Sequence, residues 1–78
     1  MEAIIKKLLS ENIIDSKVVV DGGDSKYTVH VISDIFLGKS IIERHKMIYA
    51  VLDDYIKSGE IHALTIKSLT VDESTRSG

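Results

Sequence analysis

The chain is 78 residues long, 44% hydrophobic and 28% charged, with a formal net charge of −2 and no cysteine. That length leaves room for one small domain, which buries only about 60% of the surface its unfolded form exposes. The lack of cysteine excludes a disulfide framework, thiolate catalysis and any zinc or cluster held by the chain's own sulfur, and the negative balance weighs against gripping nucleic acid by bulk electrostatics.

Ile4, Ile5, Leu8, Leu9 and Asn12 recur at three- and four-residue spacing, which predicts one face of an amphipathic first helix. Glu2, Lys6, Lys7 and Glu11 interrupt that stretch, so it is expected to belong to the fold and not to a secretory leader. No apolar run reaches transmembrane length, and the expectation is a soluble cytoplasmic protein without membrane contact. Next, Lys17 to Asp21 is rich in β-branched residues, Asp21-Gly22-Gly23-Asp24-Ser25 is a polar loop able to reach positive φ, and Tyr27 to Ser33 resumes strand character. A β-hairpin follows, with Tyr27, Val29 and Val31 on one face of its second strand and Thr28, His30 and Ile32 on the other.

Asp34 to Lys39 is a short connection, after which Ser40 is a predicted N-cap for the Glu43 amide, with Glu43 completing a capping box. Ile41, Ile48, Leu52 and Tyr55, with Tyr49 and Ile56 beside them, form the stripe of a second helix that Ser58-Gly59 ends. Ile61 to Leu69 reads as a third strand. Thr70 to Gly78 is polar and reads as a tail with one last turn around Val71 to Ser74. The αββαβ order implies an α/β (α+β) domain with two helices over a three-stranded sheet. The domain is placed at residues 1–73 and a frayed tail at 74–78.

The segments Phe36-Leu37-Gly38-Lys39-Ser40, Arg44-His45-Lys46-Met47-Ile48-Tyr49 and Ile61-His62-Ala63-Leu64-Thr65-Ile66-Lys67 together resemble the signature of the BolA family. That signature runs F-x-G-x-S, then R-H-x-x-V/I-Y, then H-A-L-x-I-K-T-x-T-P-x-E, and the resemblance spans about residues 1 to 73. Val71 departs from the usual proline, Ser68 from the common threonine, and Ser74 from the tryptophan that often follows the acidic residue. The short chain and the Asp-Gly-Gly-Asp-Ser loop are most similar to the family's compact bacterial branch.

The resemblance implies a class II KH-like αββαβ fold with a mixed sheet, and a non-enzymatic adaptor that partners a monothiol glutaredoxin. It further implies a bridging 2Fe-2S cluster, with the glutaredoxin cysteine and glutathione on one iron and a BolA histidine, often with a loop Cys or His, on the other. His62 matches the ligand histidine. The loop position is Lys26, whose ammonium cannot ligate, which leaves Asp24 as the nearest oxygen candidate. Imidazole ligation gives a higher-potential, more labile cluster than thiolate, which suits trafficking or iron sensing better than storage. The second helix and the third-strand edge are the expected docking surface, with Lys26, Arg44, His45, Ala63 and Lys67 at the partner. The isolated domain is expected to carry no cofactor and to be a monomer or weak homodimer.

Each of these residues has a plainer reading. A histidine at a strand start is more often a surface residue than a ligand. His45 is spaced from Ile41, Ile48 and Leu52 so as to seal the helix against the sheet. His30 alternates with strand residues and is expected at solvent or an edge, and no i, i+4 histidine pair suggests zinc. Lys39, Arg44 and Lys46 could form a basic edge, and the rival function is a DNA-binding transcriptional regulator of stress response and cell morphology. A KH site, however, needs a G-X-X-G loop, which is absent. No nucleophile elbow or phosphate-cradling motif occurs, and the adjacent Asp53 and Asp54 point about 100° apart on a helix, so catalysis is not expected.

Overall fold

The computed structural model describes residues 1–76. In chain order it contains α1 (Glu2–Asn12), β1 (Lys17–Gly23), β2 (Lys26–Ile32), a 3₁₀ turn (Asp34–Phe36), α2 (Ile41–Lys57), β3 (Ala63–Leu69) and α3 (Val71–Arg76). The sheet order is β1-β2-β3, antiparallel between β1 and β2 and parallel between β2 and β3. A parallel neighbour requires a crossover, and α2 supplies it. The αββαβ order and mixed sheet expected from the sequence are therefore present, with one further helix at the end. Among the described residues no helix is long and apolar enough to cross a membrane.

Alternation along the strands creates the core face. Val18, Tyr27, Val29 and Val31 are buried against Ile5 and Leu9 of α1, Ile48 and Leu52 of α2, and Phe36 and Ile61. Leu64 and Ile66 of β3 pack at its margin. The opposite face carries Lys17, Val19 and Asp21 of β1, Thr28 and His30 of β2, and Ala63, Thr65 and Lys67 of β3. The buried face of α1 is narrower than its periodicity suggests, since Ile4 is 45% exposed and the Asn12 amide turns back to the Leu8 carbonyl at 2.8 Å.

The capping box that starts α2 is formed as expected: the Glu43 amide donates to Ser40 Oγ at 3.1 Å, and the Ser40 amide to Glu43 Oε1 at 3.0 Å. Its first residue, Ile41, is 55% exposed rather than part of the buried stripe. Gly59, at φ +85°, ends the helix with its amide on the Ile56 carbonyl. The Ile61 amide then bonds the Tyr55 carbonyl at 3.0 Å and buries its side chain. That return consumes Ile61 and His62, so β3 begins at Ala63 and not at Ile61.

Two other expectations are corrected. The polar segment from Asp21 to Ser25 is not a five-residue loop: β1 continues through Gly23, and only Asp24 and Ser25 form the turn. Residues 71–76 are a helix and not one turn followed by fraying, while residues 77–78 of the expected tail lie outside the described residues. The sequence signal for this helix is Thr70-x-x-Glu73, a second capping box: Thr70 N–H donates to Glu73 Oε1 at 2.8 Å, and Glu73 N–H to Thr70 Oγ1 at 3.2 Å. Val71, standing where the resemblance leads one to expect proline, uses the amide that proline lacks to bond Asp34 Oδ1 at 3.0 Å.

Candidate functional site

The hairpin turn is tight because Asp24 (φ 52°) and Ser25 (φ 65°) both adopt the left-handed conformation, the pattern that matches a two-residue turn to strand twist. Gly22 (φ +135°) precedes it, and a Cβ there would run into the Lys26 carbonyl oxygen and approach Tyr27 Cα at 2.8 Å. Only glycine lets the two chains approach this closely. The Ser25 carbonyl, turned outward by this geometry, accepts from both the His62 amide (2.7 Å) and the Ala63 amide (3.1 Å). The turn is thereby clipped to the entry of β3, with Lys26 in register with Ala63.

Asp24, Lys26, His62 and Ala63 are all exposed and all lie at this one end of the sheet. His62 sits between the end of the α2 return and the first ladder residue, and its imidazole makes no hydrogen bond or ion pair among the described residues. An exposed imidazole free of internal partners can donate a nitrogen lone pair to a metal brought by another molecule. Asp24 adds a carboxylate on the adjoining turn, and Lys26 adds a cation but no ligand. Among the described residues no group of three or more His, Asp or Glu converges to hold a metal within the chain.

The other sequence-predicted residues do not join this cluster. Lys67 lies four residues along β3, about 13 Å away, in register with His30. His30 is half-buried in the central strand and His45 half-buried on α2, the latter in keeping with a seal. Arg44 requires correction: it is 6% exposed and forms no solvated basic edge with Lys39 and Lys46. Its Nε donates to the Lys39 carbonyl at 3.0 Å, and its Nη1 to the Ser68 carbonyl at 3.1 Å and Glu73 Oε1 at 2.8 Å. The guanidinium also lies 5.8 Å from the centroid of the buried Phe36 ring, within cation–π range. Because Ser68 closes the far end of β3, these contacts place the start of α2 at the opposite end of the sheet from His62.

Two carboxylates at that far end are perturbed, while at the other end of α2 the bond to Asp53 raises Lys57. Glu73 is held below the ordinary glutamate value, first by the Thr70 amide and then by Arg44, and Glu43 is lowered by the Ser40 amide. Phe36, Ser40 and Arg44 of the motif segments are thus engaged in packing, capping and bridging, whereas His62 is not.

Comparison with known proteins agrees with this architecture. The family model of BolA-like proteins matches residues 5–73. Acid stress protein IbaG of Escherichia coli is 31% identical over 72 residues, which is 92% of this chain and 86% of that protein. A solved bolA homologue from Coxiella burnetii superposes with a TM-score of 0.84 at 28% identity, covering 97% of both chains. The BolA domain of SufE1 from Arabidopsis thaliana superposes with a TM-score of 0.77 at 31% identity, covering 92% of this chain and 93% of that one. With the family model matching residues 5–73 and nearly its full length covered by these relatives, the chain belongs to the BolA family.

Proposed function

We propose that this protein is a non-enzymatic adaptor that docks a monothiol glutaredoxin and lends His62 to the 2Fe-2S cluster which that partner carries with glutathione. The observation that carries this reading is the contrast at the motif residues: Phe36, Ser40 and Arg44 have structural work, while the His62 imidazole is exposed, has no partner among the described residues and stands beside the hairpin turn. The cluster is cargo, and its transfer or the sensing of iron is the output. This chain's part is to present one nitrogen ligand, fix its position through the Ser25 clip, and flank it with Asp24 and Lys26. Ala63 and Lys67, exposed on β3, extend the docking surface from that end.

Regulation by DNA binding ranks second, because burying Arg44 removes one of the three cations it relied on and leaves Lys39 half-buried. The two readings separate by salt, since phosphate contacts weaken steeply with ionic strength and an iron–imidazole bond does not.

The test is a visible circular-dichroism titration of cluster-loaded monothiol glutaredoxin with this protein and with His62→Ala. The expected result is a new spectrum saturating at equimolar addition with the parent chain and absent with a folded His62→Ala variant. An identical new spectrum with the variant would remove His62 from the site.

A further inference from the structure

The hydrogen-bonding phase of the sheet is fixed by two bonds at its ends. Ala63 N–H meets the Ser25 carbonyl, and Ser33 N–H meets the Leu69 carbonyl at 2.9 Å. In a parallel ladder with this register, Tyr27, Val29 and Val31 turn their peptide groups toward β3. Lys26, Thr28, His30 and Ile32 therefore turn theirs toward β1, where they meet Gly23, Asp21, Val19 and Lys17. The alternate residues of β1, Val18, Val20 and Gly22, direct their amides and carbonyls away from the sheet. Among the described residues no hydrogen bond reaches those groups.

An open edge of this kind is normally blunted by proline, by a bulge or by repelling charge. Here the edge reads Lys17-Val18-Val19-Val20-Asp21, three β-branched residues between opposite charges. Lys17, Val19 and Asp21 share the sheet face away from the helices, and Val19 is 46% exposed. Neither Lys17 nor Asp21 makes an ion pair among the described residues. The other open edge, on β3, is less available, because its outward Ser68 carbonyl already accepts from Arg44 and no acid stands in β3 to match Lys67.

We infer that the β1 edge is an interaction surface for a second copy of this chain, paired antiparallel about a two-fold axis centred on Val19. In that register Val18 and Val20 of each copy exchange hydrogen bonds with Val20 and Val18 of the other, and the two Val19 side chains face each other. Lys17 then lies opposite Asp21 at both ends, in the close, non-hydrogen-bonded positions where opposite charges attract. Sliding the strands by two residues either way removes both charge pairs, so the pattern specifies one alignment. The product is a continuous six-stranded sheet in which the His62 ends lie far from the axis and remain open. A single strand edge buries little area, so the association is weak and depends on concentration.

Sedimentation velocity of the full chain up to millimolar concentration tests this with three further variants. The parent chain is expected to pass from monomer to dimer, and Lys17→Asp, which sets like charges opposite each other twice, to weaken association by about tenfold or more. The swapped pair Lys17→Asp with Asp21→Lys is expected to restore it, because complementarity survives the exchange. Val20→Pro removes an outward amide that β2 does not use, and is expected to abolish the dimer with the circular-dichroism spectrum of the fold retained. A parent chain that stays monomeric, a dimer indifferent to Lys17→Asp, or a swapped pair that fails to recover would overturn the inference.

Discussion

Arg44 joins three segments that are distant in the chain: the loop before α2 through the Lys39 carbonyl, the end of β3 through Ser68, and α3 through Glu73. Truncation to alanine leaves these acceptors without their donor, one of them the buried Ser68 carbonyl. The Arg44→Ala variant is expected to lose about 2–4 kcal/mol in a urea titration. Arg44→Lys should recover only part, since an ammonium cannot reproduce the planar fork that reaches all three. Recognising the residue was within reach of the motif; its burial was not, because a sequence shows arginine's charge without the carbonyls that will surround it.

Glu73 gives the same end of the molecule a pH dependence whose sign is fixed. Its folded-state pKa lies below the ordinary glutamate value of 4.5, owing first to the Thr70 amide and then to Arg44. The folded state therefore favours the ionised form. The resulting stabilisation is fully present above the unfolded value and is lost as pH falls through the lower, folded one. Thermal unfolding followed from pH 6 to about pH 3 should show a decline that is smaller in Glu73→Gln. Equal slopes for the two proteins would show that Glu73 does not contribute to the decline.

The hairpin turn is the element that makes the site. With Asp24 and Ser25 both left-handed, the Ser25 carbonyl points at β3 and holds the His62 and Ala63 amides. Gly22→Ala is expected to destabilise the domain by more than about 1 kcal/mol, because the new methyl meets the opposing backbone in a conformation L residues avoid. Ser25→Gly should stabilise it by about 0.5 kcal/mol, relief of left-handed strain outweighing the extra freedom of the unfolded chain. Polar and glycine content marked the turn in the sequence. Its length was misread because Gly22 and Gly23 look like loop residues, whereas Gly22 is in the strand to admit Lys26 and Tyr27.

The helices were legible to different degrees for physical reasons. α2 has a capping box, a long apolar stripe and a terminating glycine, and its bounds follow from those three signals. By contrast, α3 is six residues long with no buried residue, and rests on its own capping box and the bond from Val71 to Asp34. Local periodicity cannot announce a helix whose support comes from a residue 37 positions away. The same limit applies to β3, whose first residue is decided by how the chain leaves α2.

Across the whole molecule the fold separates two ends. One holds the Arg44 network and the start of α2; the other holds the hairpin turn, Lys26 and His62. Residues that the sequence groups as one docking surface are divided between them, so His45 stands apart from the His62 end. The grouping failed because α2 runs back along the sheet for about 25 Å between its first turn and the return to β3. If the turn flanks the cluster as proposed, Lys26→His supplies the ligand type that the loop position lacks. The mixed cluster should then survive longer in its visible absorbance under chelator challenge. Unchanged lifetime would place the turn outside the cluster's reach.

The central claim is that an imidazole of this chain binds iron in the mixed complex. The most direct measurement is pulsed electron paramagnetic resonance of the reduced cluster, with ¹⁵N-histidine incorporated into this chain alone and an unlabelled glutaredoxin. The account predicts a ¹⁵N hyperfine coupling of directly ligated strength that vanishes in His62→Ala. The absence of such a coupling in the parent complex, or its survival in the variant, would contradict it.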